Sequence, residues 1–107
     1  MGKLEGRAAV VTGGGAGVGR GIAAAFARAG ASVLVAEIDE TAGEDTAAWL
    51  RREWGVQAEF VRTDVTDKSQ VIGMVDAAVR RFGRLDVLVN NAWKGSGYAR
   101  LEAMTDE

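Results

Sequence analysis

The stretch "VVTGGGAGVGRG", residues 10–21, is the most glycine-rich part of the chain. Six of the nine residues from Gly13 to Gly21 are glycine, and they directly follow a short apolar run. Glycine loses more conformational freedom on folding than any other residue, so such a cluster needs a structural reason. At a helix N-terminus, free backbone N–H groups attract an anion, and missing side chains let a phosphate approach. The stretch therefore predicts a phosphate- or pyrophosphate-binding turn between a strand and a helix.

The spacing of the glycines distinguishes between known phosphate-binding patterns. G-x-G-x-x-G cannot be placed in residues 13–21, and the Walker pattern lacks its lysine and its Ser/Thr, because arginine and glycine follow Gly19. G-x-x-x-G-x-G can be placed in two registers. We prefer the register that begins at the strand end, with Gly13, Gly17 and Gly19, over the one two residues later, with Gly15, Gly19 and Gly21.

Short apolar runs alternate with helical patterns along the chain. The runs at residues 8–11, 32–36, 58–62 and 85–89 predict four strands. Strands that are almost continuously apolar are buried on both faces, so we expect parallel strands covered by helices on both sides. With right-handed crossovers, this predicts a Rossmann-type, doubly wound α/β fold with three layers, α/β/α.

Capping signals mark the helices between these runs. Thr41 with Glu44 predicts the start of a second helix, and Asp67 with Gln70 predicts the start of a third. Glycines follow the helical patterns at positions 30, 55 and 83, where a helix C-terminus is expected. Residues 91–107 contain further glycine and serine and are predicted to form a loop.

Composition restricts the possible functions. The 107 residues fit one domain, and 48% apolar with 26% charged residues is typical of a soluble globular protein. A net charge of −2 without a basic run disfavours nucleic acid or an anionic membrane as a partner. The absence of cysteine and histidine excludes disulfides and thiolate or histidine catalysis, and disfavours a metal site. No membrane span or secretory segment is recognisable, so a cytoplasmic protein is expected.

An acidic residue lies at the end of the second predicted strand. Glu37 follows Gly19 by 18 positions, and an acid at about this spacing binds the ribose hydroxyls of a dinucleotide. Alternatives remain at this point: Glu37 could be a solvated strand-end acid, and the glycines a turn that binds nothing. A methyltransferase could also use the same two features to bind S-adenosylmethionine.

Three segments together resemble the short-chain dehydrogenase/reductase family: "TGGGAGVG" at residues 12–19, "DV" at 64–65 and "NNA" at 90–92. Their order and spacing match from about residue 4 to residue 107, which disfavours the methyltransferase. The resemblance implies strand order 3-2-1-4 and an oxidoreductase that moves hydride between a nicotinamide cofactor and a small alcohol/carbonyl substrate. It also implies a homo-oligomer, a dimer or tetramer.

The resemblance also implies roles for individual residues. The glycines and the two residues between them would shape the pyrophosphate turn. Glu37 would hold the adenosine ribose, with Ile38 beside the adenine. Asp64 and Val65 would also meet the adenine. Asn91 and Ala92 would line the ribose next to the nicotinamide. In chain order these residues are Gly13, Ala16, Gly17, Val18, Gly19, Glu37, Ile38, Asp64, Val65, Asn91 and Ala92.

Two of these positions have a simpler interpretation. Asp64 could instead cap the turn before the third helix. Asn90 and Asn91 could simply satisfy backbone groups at a strand end. For Asn90, the resemblance implies that it ties strands together.

The expected cofactor is NAD rather than NADP. Glu37 would repel a 2′-phosphate, and neither Ala16 nor Ile38 supplies the cation with which NADP-using relatives often bind it. Arg20 is the nearby cation, and helix geometry is expected to direct it away from the ribose.

The chain departs from the family in its catalytic residues. The family's serine and Tyr-x-x-x-Lys are absent, because Tyr98 is followed four positions later by Glu102. Trp93 replaces the usual glycine and could pack on the surface or border the nicotinamide. No catalytic residue is therefore assigned. We expect residues 1–107 to be the cofactor-binding part of such an enzyme, inactive alone; a complete non-catalytic dinucleotide-binding module is the alternative.

Overall fold

The computed structural model describes residues 2–91, where four strands alternate with three helices. Every predicted strand is confirmed, although the fourth begins two residues later than residue 85. The elements are β1 (Ala8–Thr12), α1 (Gly17–Arg28), β2 (Ser32–Glu37), α2 (Glu40–Trp54), β3 (Ala58–Arg62), α3 (Lys68–Phe82) and β4 (Val87–Val89). The predicted loop lies outside the described residues, apart from its first residue, Asn91.

The strands form one parallel sheet in the order β3-β2-β1-β4, which confirms the predicted order. Alternate residues of a strand face opposite sides of a sheet, so the largely apolar central strands β1 and β2 need cover on both sides. Val11 on β1 and Val35 on β2 pack with α1 and α2, whereas Val10 and Leu34 pack with α3. The chain therefore has the predicted three-layer α/β/α architecture.

The helix termini follow the capping signals with two exceptions. The C-cap of α1 is Ala29, one residue before the expected Gly30, which follows it with a φ of +98°. Asp67 caps α3, accepting a hydrogen bond from the Ser69 backbone N–H, as predicted. The predicted start of α2 at Thr41 is wrong: Asp39 is the N-cap and accepts from the Ala42 N–H at 3.1 Å. Both residue types are good N-caps, so the path of the chain away from β2 decides between them.

A carboxylate joins the beginnings of β1 and β4. Asp86 Oδ2 accepts from the Ala8 N–H at 2.9 Å, while the Asp86 N–H donates to the Ala8 carbonyl oxygen at 2.9 Å. Arg84 binds the same carboxylate with two N–H groups, each at 2.8 Å. The Arg84 hydrogen bonds, followed by the Ala8 amide, hold the pKa of Asp86 below its ordinary value.

This lowered pKa makes folding dependent on pH at the acid end. A carboxyl group whose pKa is lower in the folded state stabilises the fold above its ordinary pKa. That stabilisation is lost as pH falls through the folded pKa. We expect the melting temperature of Asp86→Asn to fall less than that of the wild type between about pH 5 and about pH 2. Glu53→Gln, at an exposed residue of α2, is the control and should follow the wild type. Equal acid sensitivity of Asp86→Asn and wild type would contradict the assignment.

Candidate functional site

The glycine-rich turn runs from the end of β1 into α1. Gly13 and Gly17 have φ angles of +65° and +59°, which disfavour residues with a side chain. A Cβ on Gly19 would overlap the carbonyl oxygen of Gly13 and lie 2.7 Å from Asn91 Nδ2. By contrast, a Cβ on Gly21 would meet nothing within 4 Å. The backbone therefore requires glycine at the three positions of the preferred register, and the register that ends at Gly21 is not favoured.

The N-terminus of α1 has the features of an anion site. Its N-cap, Ala16, offers no side-chain hydrogen bond to the first turn, and that turn contains no acidic residue. The first N–H groups of a helix lack backbone partners and carry positive partial charge. Val18, in the first turn, is 73% exposed. The turn therefore presents bare N–H groups beside an exposed apolar side chain.

Glu37 reaches this turn from the end of β2. Its Oε1 accepts from the Gly15 N–H at 2.9 Å and its Oε2 accepts from the Asp39 N–H at 3.2 Å. A Cβ on Gly15 would lie 2.7 Å from Glu37 Oε1 and 2.8 Å from the Ala42 Cβ. Gly15 therefore needs to be glycine as well, because Glu37 and α2 pack directly against it. The next residue, Ile38, is 50% exposed.

A second chain of contacts joins the turn to the end of β4. The buried Thr12 Oγ1 accepts from the Asn91 N–H at 2.8 Å and lies 3.1 Å from Asn90 Oδ1, to which it can donate. Asn91 Nδ2 donates to the Gly13 carbonyl oxygen at 3.4 Å. Asn90 thus ties β4 to β1, as expected, and Asn91 lies against the turn. Ala92 and Trp93 lie outside the described residues.

Asp64 and Val65 follow β3 on the same edge of the sheet. Asp64 Oδ1 accepts from both the backbone N–H and the hydroxyl of Thr66, at 2.9 and 2.6 Å. The Asp64 side chain thus caps the turn before α3, and Val65 is half-buried. The Thr63 N–H donates to the Glu37 carbonyl oxygen at 3.1 Å and so connects this segment to the end of β2.

Arg20 is directed onto α2. Its guanidinium lies 4.2 Å from the centre of the Trp49 ring, 3.4 Å from Asp45 Oδ2 and 3.2 Å from Thr46 Oγ1. The buried Thr46 hydroxyl in turn donates to the Gly15 carbonyl oxygen at 3.1 Å. Sequence reasoning missed Thr46 because it belongs to no recognisable motif.

The carboxyl ends of all four strands therefore meet along one edge. The structure brings Glu37 and Asn91 each into direct contact with the glycine-rich turn, and Thr63, which precedes Asp64, is hydrogen-bonded to Glu37. This edge is where open α/β sheets bind ligands. Residues 2–91 contain no cluster of three acidic residues able to hold a metal ion. None of their helices has the length and apolarity that crossing a membrane requires.

A family model, short chain dehydrogenase, matches residues 7–106. The chain belongs to this family. A short chain dehydrogenase/reductase of Aspergillus oryzae is 48% identical over 89 residues, which are 83% of this chain and 34% of that protein.

Two solved structures of short-chain dehydrogenases illustrate the similarity of the fold. A 7α-hydroxysteroid dehydrogenase complexed with NADH and 7-oxo glycochenodeoxycholic acid superposes with a TM-score of 0.82, at 40% identity, over 87% of this chain and 36% of that one. L-sorbose reductase from Gluconobacter frateurii, complexed with NADPH and L-sorbose, has a TM-score of 0.81 at 34% identity, over 87% and 35% of the two chains. The present chain thus spans about a third of the length of each of these three relatives.

Proposed function

We propose that the protein is an NAD-dependent oxidoreductase and that residues 1–107 form its cofactor-binding part. The observation that carries the proposal is the hydrogen bond of 2.9 Å between the Gly15 N–H and Glu37 Oε1. It places a carboxylate beside a turn that is shaped for an anion. The two groups that a dinucleotide presents, a pyrophosphate and a ribose with free hydroxyls, require this combination.

The residues present fit the pyrophosphate end of the cofactor. The left-handed conformations of Gly13 and Gly17 and the missing side chain of Gly19 bring the backbone close to α1. The uncapped first turn of α1 would then donate N–H groups to the phosphates. Ala16 and Val18, both exposed, would line the turn beside them.

The adenosine end would lie between β2 and β3. Glu37 would accept hydrogen bonds from the ribose hydroxyls, and the half-exposed Ile38 would pack against the adenine. Asp64 and Val65 would meet the other side of the adenine, and the capping of Thr66 by Asp64 Oδ1 would hold them in place. Asn91 and Ala92 would line the inner ribose.

The discrimination between NAD and NADP would come from charge. A 2′-phosphate would approach the Glu37 carboxylate, and like charges brought together at a binding site cost several kcal/mol. The Arg20 guanidinium packs on Trp49 and lies beside Asp45, so it is directed toward α2 and not toward the ribose. The solved neighbours include one complex with NADH and one with NADPH, so membership in the family leaves the choice to such local residues.

The reaction proposed is hydride transfer between the nicotinamide, which supplies this chemistry when bound, and a small alcohol/carbonyl substrate. The chain contributes binding and orientation of the cofactor; no residue of it is assigned a catalytic role. The whole protein would be a cytoplasmic homo-oligomer, a dimer or tetramer, as the family resemblance implies.

Titration with NAD and NADP tests this proposal. We expect NAD to bind at least tenfold more tightly, about 1.4 kcal/mol, because Glu37 repels the 2′-phosphate. Glu37→Gln removes the charge and keeps the size of the side chain, so it should reduce the ratio of NAD affinity to NADP affinity. Glu40→Gln, an exposed acid three residues later, is the matched control and should keep the wild-type preference. NADP binding as tight as NAD binding would overturn the proposed specificity.

A further inference from the structure

Gly15 is held on two sides by residues outside the glycine-rich turn. Its N–H donates to Glu37 Oε1 at 2.9 Å, and its carbonyl oxygen accepts from Thr46 Oγ1 at 3.1 Å. A Cβ at this position would collide with both Glu37 and Ala42. Gly15 is thus the place where β2 and α2 together determine the position of the turn.

The hydroxyl of Thr46 has a single possible orientation in this arrangement. A threonine hydroxyl has one proton to donate. Arg20 donates an N–H to Thr46 Oγ1 at 3.2 Å, so this oxygen acts as the acceptor on that side and its proton points to the Gly15 carbonyl oxygen. Trp49 and Asp45 hold the Arg20 guanidinium in turn. Because Thr46 is fully buried, water cannot readily replace the hydroxyl.

Building on the proposed NAD site, we propose that Thr46 is a positioning residue for ribose recognition. Its hydroxyl fixes Gly15, and Gly15 in turn fixes the Glu37 carboxylate that would bind the ribose hydroxyls. Thr46 is fully buried, so it would act on the cofactor only through Gly15. Hydrogen bonds connect Arg20 to Thr46, Thr46 to Gly15 and Gly15 to Glu37. The position of the Glu37 carboxylate therefore depends on how α2 packs.

The test compares variants of the purified full chain by NAD titration. Thr46→Val keeps the shape and removes the hydroxyl, and we expect it to weaken NAD binding about fivefold to tenfold. Thr46→Ser retains the hydroxyl and should bind NAD within about twofold of the wild type. Thr41→Val, at the exposed threonine of the same helix, should not change binding. Thr46→Ala replaces Thr46→Val in the comparison if the valine variant does not fold.

A double-mutant cycle with Glu37→Gln separates positioning from a general loss of stability. If Thr46 acts through Glu37, the double variant Thr46→Val/Glu37→Gln should lose less affinity than the product of the two single losses. Two results would overturn the positioning role while leaving the NAD site intact. One is a double variant whose loss of affinity equals the product of the two single losses. The other is NAD binding by Thr46→Val as tight as that of the wild type. Failure of the wild type to bind NAD would overturn both this inference and the proposed function.

Discussion

Replacing Gly19 with alanine is expected to weaken NAD binding by roughly a hundredfold, about 2.7 kcal/mol. The new Cβ would overlap the carbonyl oxygen of Gly13 and lie 2.7 Å from Asn91 Nδ2. A backbone carbonyl at a tight turn cannot move aside as the end of a flexible side chain can. The turn and the start of α1 would have to separate, and overpacking of this kind lowers the free energy of unfolding by about 1–3 kcal/mol.

The same helix provides a matched control for this prediction. Gly21 lies two residues later in α1, and a Cβ there would meet nothing within 4 Å. Gly21→Ala should therefore keep NAD affinity and raise the free energy of unfolding by about 0.5–1 kcal/mol, since alanine is the better helix former. NAD titration and urea unfolding of both variants give the comparison. Equal affinities of the Gly19 and Gly21 variants would show that the close approach at Gly19 does not shape the site.

Replacing Leu50 with alanine is expected to lower the free energy of unfolding by about 2–5 kcal/mol. Leu50 is fully buried on α2, in the cluster that includes Val33 and Val35 of β2. Its removal leaves a cavity between the helix and the sheet, and the rigid neighbours on the strand can only partly fill it. Such a loss is a large part of the roughly 5–15 kcal/mol that stabilises a typical domain.

Urea unfolding of Leu50→Ala and Glu53→Ala measures the effect of this cavity. Glu53 lies on the exposed side of the same helix, so its replacement should change the free energy of unfolding by less than about 0.5 kcal/mol. A Leu50→Ala variant no less stable than Glu53→Ala would contradict the packing of α2 on the sheet.

Several elements of the fold could be predicted because the relevant signal is local. β1 and β2 are apolar at nearly every position, so their burial on both faces follows from composition alone. Asp67 begins α3 and Gly83 follows it with a φ of +82°, as the capping pattern and the glycine indicate. The start of α2 could not be predicted, because Asp39 and Thr41 are both capping residues. Gly43 lies against the Phe60 ring in the structure, a contact between distant residues that no local pattern reports.

The candidate site shows the same division. The spacing of Gly13, Gly17 and Gly19 and the distance to Glu37 could be recognised along the chain. The sequence left two glycine registers open. The positive φ angles of Gly13 and Gly17 and the open space around Gly21 distinguish them. The direction of the Arg20 side chain followed from helix geometry, but its partner Trp49 did not.

The sequence by itself determined the alternation of strands and helices, the glycine-rich turn and the acid at the end of β2, because propensity, burial pattern and turn chemistry act over a few residues. Only the tertiary structure decided that Gly15 lies between Glu37 and Thr46, which are 22 and 31 residues away from it. Such contacts depend on how α2 packs on the sheet, and packing brings together residues whose separation along the chain carries no signal of their contact.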